Sequence, residues 1–249
     1  MFGTKRSYRI PDPVDVLAIA AHPDDVELTC GGTLVKMQRA GYRSGILDLT
    51  AGETGTRGSR ELRAEEAAKA AKAMGVAGRI NAGLPDAHLH NTDATRQTVV
   101  QWIRHFHPRT VILPFPTGRH PDHIAASELG RDACYLAGLK NYDAEGEPHR
   151  PEKILYALAY REDPVKPTFV VDISAEFDTK MAAIRCYASQ FEGAKAAGEI
   201  FPAGQNLYEL VRIHCAHYGS LIRAAYGEPF MTQETLRVDD VLRMGVQSM

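Results

Sequence analysis

Two short charged segments of this chain combine histidines and carboxylates at spacings that suit metal chemistry. The first reads His22-Pro-Asp-Asp25-Val-Glu, and the second reads Arg-His-Pro-Asp-His123. His22, Asp25 and His123 would supply two imidazoles and one carboxylate, the three-ligand set of a catalytic zinc that keeps a fourth position for water. Zinc lowers the pKa of such a water to about 7. We therefore predict one Zn²⁺ per chain, with Fe²⁺ as another divalent ion for these ligands.

The neighbours of these three residues complete a hydrolytic site. Hydrolysis needs a group that takes a proton from the water and returns it to the leaving amine, and Asp24 adjoins Asp25 without having to bind metal. We predict Asp24 to be the general base. His120 is expected to stabilise the developing oxyanion or to orient Asp24, and Asp122 to hydrogen-bond a ligand histidine.

The surrounding pattern predicts how two segments so far apart in sequence meet. Each motif directly follows a short aliphatic run typical of a buried parallel strand, over 14–21 and 110–115. Both motifs therefore belong at the same edge of a sheet. The other predicted elements are helices over 26–39, 61–74, 95–105, 176–189 and 207–224, and strands over 44–50, 155–160 and 168–173. This alternation predicts a single α/β domain over 1–249, with a mostly parallel open sheet and a C-terminal extension that ends in an irregular tail.

Composition and charge limit the kinds of molecule that the protein is expected to bind. Lys plus Arg total 29 against 31 Asp plus Glu, a net charge of −2 that gives no general attraction to nucleic acid. The four cysteines are dispersed, and no apolar run approaches the roughly 20 residues of a membrane span. We expect a soluble cytoplasmic protein that acts on a small molecule. Gly31-Gly32 forms no phosphate-binding motif and is expected to serve close helix packing.

The motifs are also compatible with other roles. Asp24 and Asp25 could simply cap the helix that follows them. Two histidines and a carboxylate also form the facial triad of non-haem iron oxygenases, although those sites usually belong to β-barrels. A nucleotide-binding module lacks its Gly-rich fingerprint here. A non-catalytic metal-binding protein would have no use for Asp24.

The string AHPDDVELTCGGTLVKMQRAGY, with DLTAGETGTRGSRELRAEEA and the later RHPDH, resembles the PIG-L/LmbE-like family of zinc N-deacetylases. The resemblance implies a Rossmann-like fold with helices on both faces of the sheet. It also implies zinc on His22, Asp25 and His123, Asp24 as the base and His120 in charge stabilisation. The family's substrate-contacting arginines match Arg63 and Arg119, and a tyrosine that assists the oxyanion in some members aligns near Tyr208.

Further strings, LPD at 84–86, YASQF at 187–191 and YGEPFMTQETLRVDD at 226–240, resemble the bacillithiol-biosynthesis branch. That likeness implies N-acetylglucosaminyl malate as the substrate, cleaved to free amine and acetate. Other branches act on mycothiol precursors, lipid-linked N-acetylglucosamine or chitin fragments. The resemblance also implies a homo-oligomer, a trimer or a hexamer.

Overall fold

A computed structural model describes residues 12–158, 165–192 and 206–246 of the chain. Its central sheet contains β1 Val16–Ala20, β2 Ser44–Thr50, β3 Gly78–Leu84, β4 Thr110–Pro114, β5 Lys153–Ala157, β6 Phe169–Asp172 and β7 Gly227–Met231. The strands lie in the order β3-β2-β1-β4-β5-β7-β6. Strands β1 to β5 run parallel, whereas β7 pairs antiparallel with β5 and β6. The mostly parallel open sheet predicted from the sequence is confirmed.

Helices cover both faces of this sheet, as the family resemblance implied. They are α1 Asp25–Thr29, α2 Gly31–Arg39, α3 Arg60–Met74, α4 Asp93–Phe106, α5 Pro121–Ala137, α6 Phe177–Arg185, α7 Ala188–Phe191 and α8 Leu207–Ser220. Successive side chains of a strand point to opposite faces, so β1 serves two cores. Leu17 and Ile19 pack with α4 and α5, and Ala18 and Ala20 pack with α1 to α3 and α6. Within the described ranges, none of the helices is long and apolar enough to cross a membrane.

The helix predicted over 26–39 is two helices, α1 and α2, separated at Cys30. The Cys30 backbone leaves helical geometry with φ −138° and ψ 14°. The first amides of α2, from Gly32 and Thr33, donate to the Glu228 carboxylate at 2.9 and 2.7 Å. A carboxylate satisfies the unpaired N–H groups at a helix N-terminus and interacts favourably with its dipole. Glu228, on the distant strand β7, therefore fixes where α2 begins. The helix predicted over 176–189 is likewise divided, into α6 and α7.

Two strands, β3 and β7, were not predicted from the sequence. In β3, Ile80, Ala82 and Leu84 pack against the core, but the polar side chains of Arg79 and Asn81 and two glycines interrupt the aliphatic pattern. Arg79 pairs with Asp48 of β2, and Asn81 donates to the Thr50 carbonyl. The β7 segment, GEPFM, lies where the sequence predicted an irregular tail. Residues 159–160 of the strand predicted over 155–160 lie outside the described residues.

Candidate active site

The strand order reverses at β1, which lies between β2 and β4. In open α/β sheets such a reversal leaves a crevice at the carboxyl ends of the strands, and ligands bind there. The loop after β1 carries His22 to Asp25, and the loop after β4 carries Arg119 to His123. Because β1 and β4 are paired neighbours, the two loops meet. The prediction that both motifs share one sheet edge is confirmed.

His22, Asp25 and His123 converge at this crevice. Asp25 Oδ2 lies 3.3 Å from His22 Nδ1, and Asp25 Oδ1 lies 3.1 Å from His123 Nε2. One ligand atom from each residue lies within 4.8 Å of the other two. The backbone N–H of His22 donates a hydrogen bond to Asp25 Oδ2 at 2.9 Å, which fixes the position of the Asp25 carboxylate. Two imidazoles and a carboxylate at this spacing fit a divalent metal ion such as zinc.

A second set of possible ligands, His22, His120 and Asp122, shares one histidine with the first. His120 is the N-cap of α5, and its Nδ1 accepts the Asp122 N–H at 3.3 Å. Because Nδ1 accepts this hydrogen bond, the neutral His120 ring carries its proton on Nε2 and has no lone pair left for a metal. The set around Asp25 is therefore better suited to hold the ion.

The pKa values of His22 and Asp25 indicate that the ligand cluster attracts positive charge. Burial disfavours the charged form of His22, but hydrogen bonds to Asp25 and Asp86 raise its pKa to about 11. Burial also opposes ionisation of Asp25, yet the charge and hydrogen bond of His123 hold the Asp25 pKa well below its usual value. The cluster thus favours positive charge between its members. A divalent cation can take the place of those protons, because metal ligands must be deprotonated.

Asp24 is held beside the ligands by Arg63. Arg63 Nη2 lies 3.2 Å from Asp24 Oδ2 and also donates to the Pro23 carbonyl at 2.8 Å. Arg63 Nη1 donates to the Gly52 carbonyl at 2.9 Å, and a Cβ at position 52 would collide with it. Asp24 has φ 104°, a conformation that is costly for any residue with a Cβ. Burial raises the Asp24 pKa to about 7, against the opposing charge of Arg63.

The two arginines predicted to contact substrate have different surroundings. The Arg63 side chain is only 6% exposed, and its guanidinium contacts Asp24 and two backbone carbonyls. Arg119 is exposed and directly precedes His120, which is also exposed. The His120 ring stacks on that of His123 with 4.6 Å between centroids, and burial lowers the His120 pKa.

Tyr208, suggested by resemblance as an oxyanion contact, lies on α8. Its hydroxyl is buried and has no hydrogen-bond partner among the described residues. The Arg185 guanidinium lies 5.5 Å from the centre of its ring. Within the described residues, the Tyr208 hydroxyl therefore makes no hydrogen bond to the residues of the crevice.

Asp86, for which the sequence pattern predicted no role, contacts a predicted metal ligand. His22 Nε2 lies 3.0 Å from Asp86 Oδ1 and 3.4 Å from Asp122 Oδ2. Asp86 Oδ2 accepts from the Thr54 N–H and hydroxyl at 2.8 and 2.6 Å. Ala87, with φ 60°, donates its N–H to both Asp86 and Asp122 at 2.9 and 2.8 Å. Recognising β3 as a strand would have placed Asp86 at the same sheet edge as the two motifs.

Comparison with known proteins identifies the family. The PIG-L family model, described as GlcNAc-PI de-N-acetylase, matches residues 17–134, a stretch that includes both loops. The diacetylchitobiose deacetylase of Thermococcus kodakarensis is 32% identical over 207 residues, which cover 76% of this chain and 76% of that protein. A 1D-myo-inositol 2-acetamido-2-deoxy-alpha-D-glucopyranoside deacetylase of Rhodococcus opacus is 27% identical over 177 residues, 57% of this chain and 61% of that protein. The match thus spans less than two thirds of the Rhodococcus enzyme.

A solved structure agrees in fold over nearly the whole chain. The crystal structure of the conserved protein TT1542 from Thermus thermophilus matches with a TM-score of 0.81 and 39% sequence identity. That match covers 91% of this chain and 98% of the Thermus chain. The chain belongs to the PIG-L family and is an amide hydrolase of the deacetylase type.

Proposed function

We propose that this chain is a zinc-dependent N-deacetylase that removes the acetyl group from an N-acetylglucosamine conjugate. The observation that carries the proposal is the convergence of His22, Asp25 and His123 beside the buried carboxylate of Asp24. Relatives from Thermococcus and Rhodococcus support the substrate class, because the names of both denote acetamido sugars. An oxygenase with the same ligand types is disfavoured by the α/β sheet.

The side chains of the crevice have separate roles in the proposed hydrolysis. Zinc on His22, Asp25 and His123 would lower the pKa of a bound water and polarise the acyl oxygen. Asp24, with a pKa raised to about 7, accepts a proton from water and returns it to the leaving amine. Arg63 holds Asp24 in place. His120, exposed at the mouth, is positioned to donate a hydrogen bond to the developing oxyanion.

Asp86 and Asp122 are proposed to set the orientation of His22. A carboxylate that accepts the N–H of one ring nitrogen leaves the lone pair of the other for the metal. Asp86 is nearer to His22 Nε2, at 3.0 Å against 3.4 Å for Asp122. In this tautomer Nδ1, which faces Asp25, would be the atom that binds the metal. We therefore assign the larger share of this role to Asp86.

For the substrate we propose N-acetylglucosaminyl malate, with a chitin oligosaccharide as the second candidate. The malate reading rests on the bacillithiol-type motifs and on the exposed position of Arg119 beside His120. A guanidinium binds a carboxylate through paired charge-assisted hydrogen bonds. Arg119 is exposed beside His120, whereas the Arg63 side chain is only 6% exposed, so Arg119 is the better candidate for the malate group. The chitin reading rests on the Thermococcus diacetylchitobiose deacetylase.

The function is tested by acetate release from a panel of N-acetylglucosamine, its malate conjugate and diacetylchitobiose. We expect zinc-loaded protein to act on at least one sugar, and chelation to abolish the activity. Oxygen consumption in place of acetate release would favour the oxygenase. Arg119→Gln should shrink a preference for the malate conjugate about tenfold, since a hydrogen bond to a charged group contributes roughly 1.5–3 kcal/mol. Arg131→Gln, a change at an exposed arginine of α5, is the matched control.

We further propose that residues 1–249 form one catalytic domain, and that the enzyme is a homo-oligomer in the cytoplasm. Free cysteines support a reducing compartment, since Cys30, Cys134 and Cys215 are buried thiols. Exposed apolar side chains near the C-terminus support association of copies, with Val241 75% and Leu242 93% exposed. Light scattering of the wild type and of Leu242→Glu tests the association, and an unchanged monomeric mass in both would contradict it.

A further inference from the structure

A cavity beside the predicted metal ligands has an apolar lining. It has a volume of about 60 Å³ and lies between α1 and the carboxyl ends of β1, β4 and β5. Asp25 and His123 form part of its wall. Among the other described residues that line it are small or aliphatic side chains: Ala18, Ala20, Leu28, Ile112 and Ala157. The cavity therefore joins the reaction centre to an apolar compartment.

We propose that this cavity receives the acyl chain of the substrate, and that the enzyme cleaves N-propionyl and N-butyryl amides of the same sugar as well as the N-acetyl amide. The inference rests on the proposed deacetylase function. In each case water adds its oxygen to the acyl carbon, the C–N bond breaks, and both protons of the water end on the leaving nitrogen. The products are a carboxylate and a protonated amine, so no further reactant is needed.

The polarity of the two sides of the reaction centre decides which part of the substrate enters the cavity. Amide hydrolysis places the carbonyl carbon at the metal ligands, with the acyl chain on one side and the sugar on the other. A hydroxyl moved from water into an apolar site without a new hydrogen bond costs roughly 1–3 kcal/mol. A sugar carries several hydroxyls and is excluded on that ground. The exposed side of the crevice, with Arg119 and His120, suits the sugar instead.

The size of the cavity indicates room for more than a methyl group. A cavity needs roughly 10–15 Å³ to hold a single water, and about 60 Å³ is several times that. Alanines at 18, 20 and 157 leave this space where larger side chains would fill it. Each methylene buried in an apolar site contributes about 0.8 kcal/mol, or about fourfold in an equilibrium or rate ratio. Longer acyl chains should therefore be tolerated or preferred.

The test compares N-acetyl-, N-propionyl- and N-butyrylglucosamine, with release of glucosamine as a readout common to all three. We expect kcat/KM for the propionyl amide to be equal to that for the acetyl amide or up to about fourfold higher. A fall of more than tenfold from acetyl to propionyl would overturn the acyl-cavity proposal and leave the deacetylase intact. Absence of amine release from all three would overturn the deacetylase and this inference with it.

Two variants that change the cavity in opposite directions sharpen the test. Ala157→Val fills the cavity and should lower the butyryl-to-acetyl ratio of kcat/KM at least fourfold, whereas Leu28→Ala enlarges it and should raise that ratio. Ala133→Val adds the same volume to the core on the other face of the sheet and should leave the ratio unchanged. Since either variant can be measured without the other, a folding failure in one leaves the test standing. An unchanged ratio in the measured variants contradicts the proposal.

A turnover-free measurement checks the same cavity through the product. Calorimetric titration of the zinc-loaded protein with acetate, propionate and butyrate should give dissociation constants that fall about fourfold per methylene. Ala157→Val should flatten this trend, and Ala133→Val should preserve it. Equal dissociation constants for the three carboxylates in the wild type would overturn the proposal.

Discussion

Two groups of charged residues lie close together in this fold, and they differ in how far their side chains are exposed to solvent. Lys180 and Glu228 are 0% and 1% exposed. Lys180 Nζ donates to Glu228 Oε1 at 2.7 Å and to the carbonyls of Glu27 and Leu28 at 2.9 and 2.8 Å, which uses all three of its protons. In the crevice, by contrast, the Asp25 and His123 side chains are 14% and 29% exposed and turn toward each other.

Glu27 shows why residue type and spacing alone do not separate the two groups. It lies two residues after Asp25 in the same motif, yet it is fully buried. Its Oε1 contacts Arg79 and accepts the Tyr187 hydroxyl at 2.9 Å, and Arg79 also binds Asp48 through two hydrogen bonds. These partners hold Glu27 through Oε1 alone, since its buried Oε2 has no hydrogen-bond partner among the described residues, and they make Glu27 a structural acid. A set of titratable groups that converge at a partly open crevice is the better sign of function.

The largest effect is expected from Asp24→Asn. The amide keeps the shape of the side chain but cannot take up the proton of water, so turnover should fall by about 10²–10⁴-fold. Metal content and the unfolding transition should stay near wild type. Acetate release and zinc analysis on one preparation measure both. Near-wild-type turnover would remove Asp24 from the mechanism and make it a packing residue like Glu27.

Next in size is the loss of stability expected for Lys180→Met. The variant leaves the Glu228 carboxylate buried without its counter-charge, and breaking a buried pair in this way costs about 3–5 kcal/mol. Denaturant unfolding should show this loss, while the folded fraction keeps its zinc. Lys153→Met, at an exposed pair with Glu152, should change stability by no more than about 0.5 kcal/mol. Loss of zinc with an unchanged free energy of unfolding would show instead that Lys180 supports the metal site.

A double variant tests whether Lys180 and Glu228 are energetically coupled. In Lys180→Met/Glu228→Gln the buried carboxylate is replaced by a neutral amide, whose carbonyl oxygen can still accept from the start of α2. We expect the double variant to be more stable than the sum of its single changes predicts, since the two residues are in contact. Additive losses of unfolding free energy would show that the pair is not coupled.

The smallest effect is expected from Asp86→Asn. Removing a carboxylate that orients a ligand histidine typically lowers metal affinity by about 10–100-fold. The zinc dissociation constant should rise accordingly, and nitrogen-15 NMR of the zinc-loaded protein should show a changed tautomer balance at His22. Asp132→Asn, on α5 and away from the ligands, should leave both readouts unchanged. An unaltered zinc affinity in Asp86→Asn would assign the orienting role to Asp122 alone.

The elements with a clear local sequence pattern could be predicted. The features that depend on contacts between residues far apart in the sequence could not. Strands β1, β2 and β4 have aliphatic runs, and the HPD segments follow two of them directly. The break at Cys30 depends on Glu228, whose position next to α2 comes from β7, a strand with no clear local signal. Asp86 was missed because the polar side chains of β3, Arg79 and Asn81, find their partners only in the folded chain, on β2 and on Glu27 of α1. The engagement of Arg63 with Asp24 likewise needs the folded loops.

We propose that the crevice between the loops after β1 and β4 holds a catalytic metal on His22, Asp25 and His123. Zinc content and acetate release, measured on the same preparation of His123→Ala, test this assignment. Three protein ligands leave no redundancy, so the account predicts that zinc and activity are lost together while the chain stays folded. Stoichiometric zinc in the purified variant would contradict it.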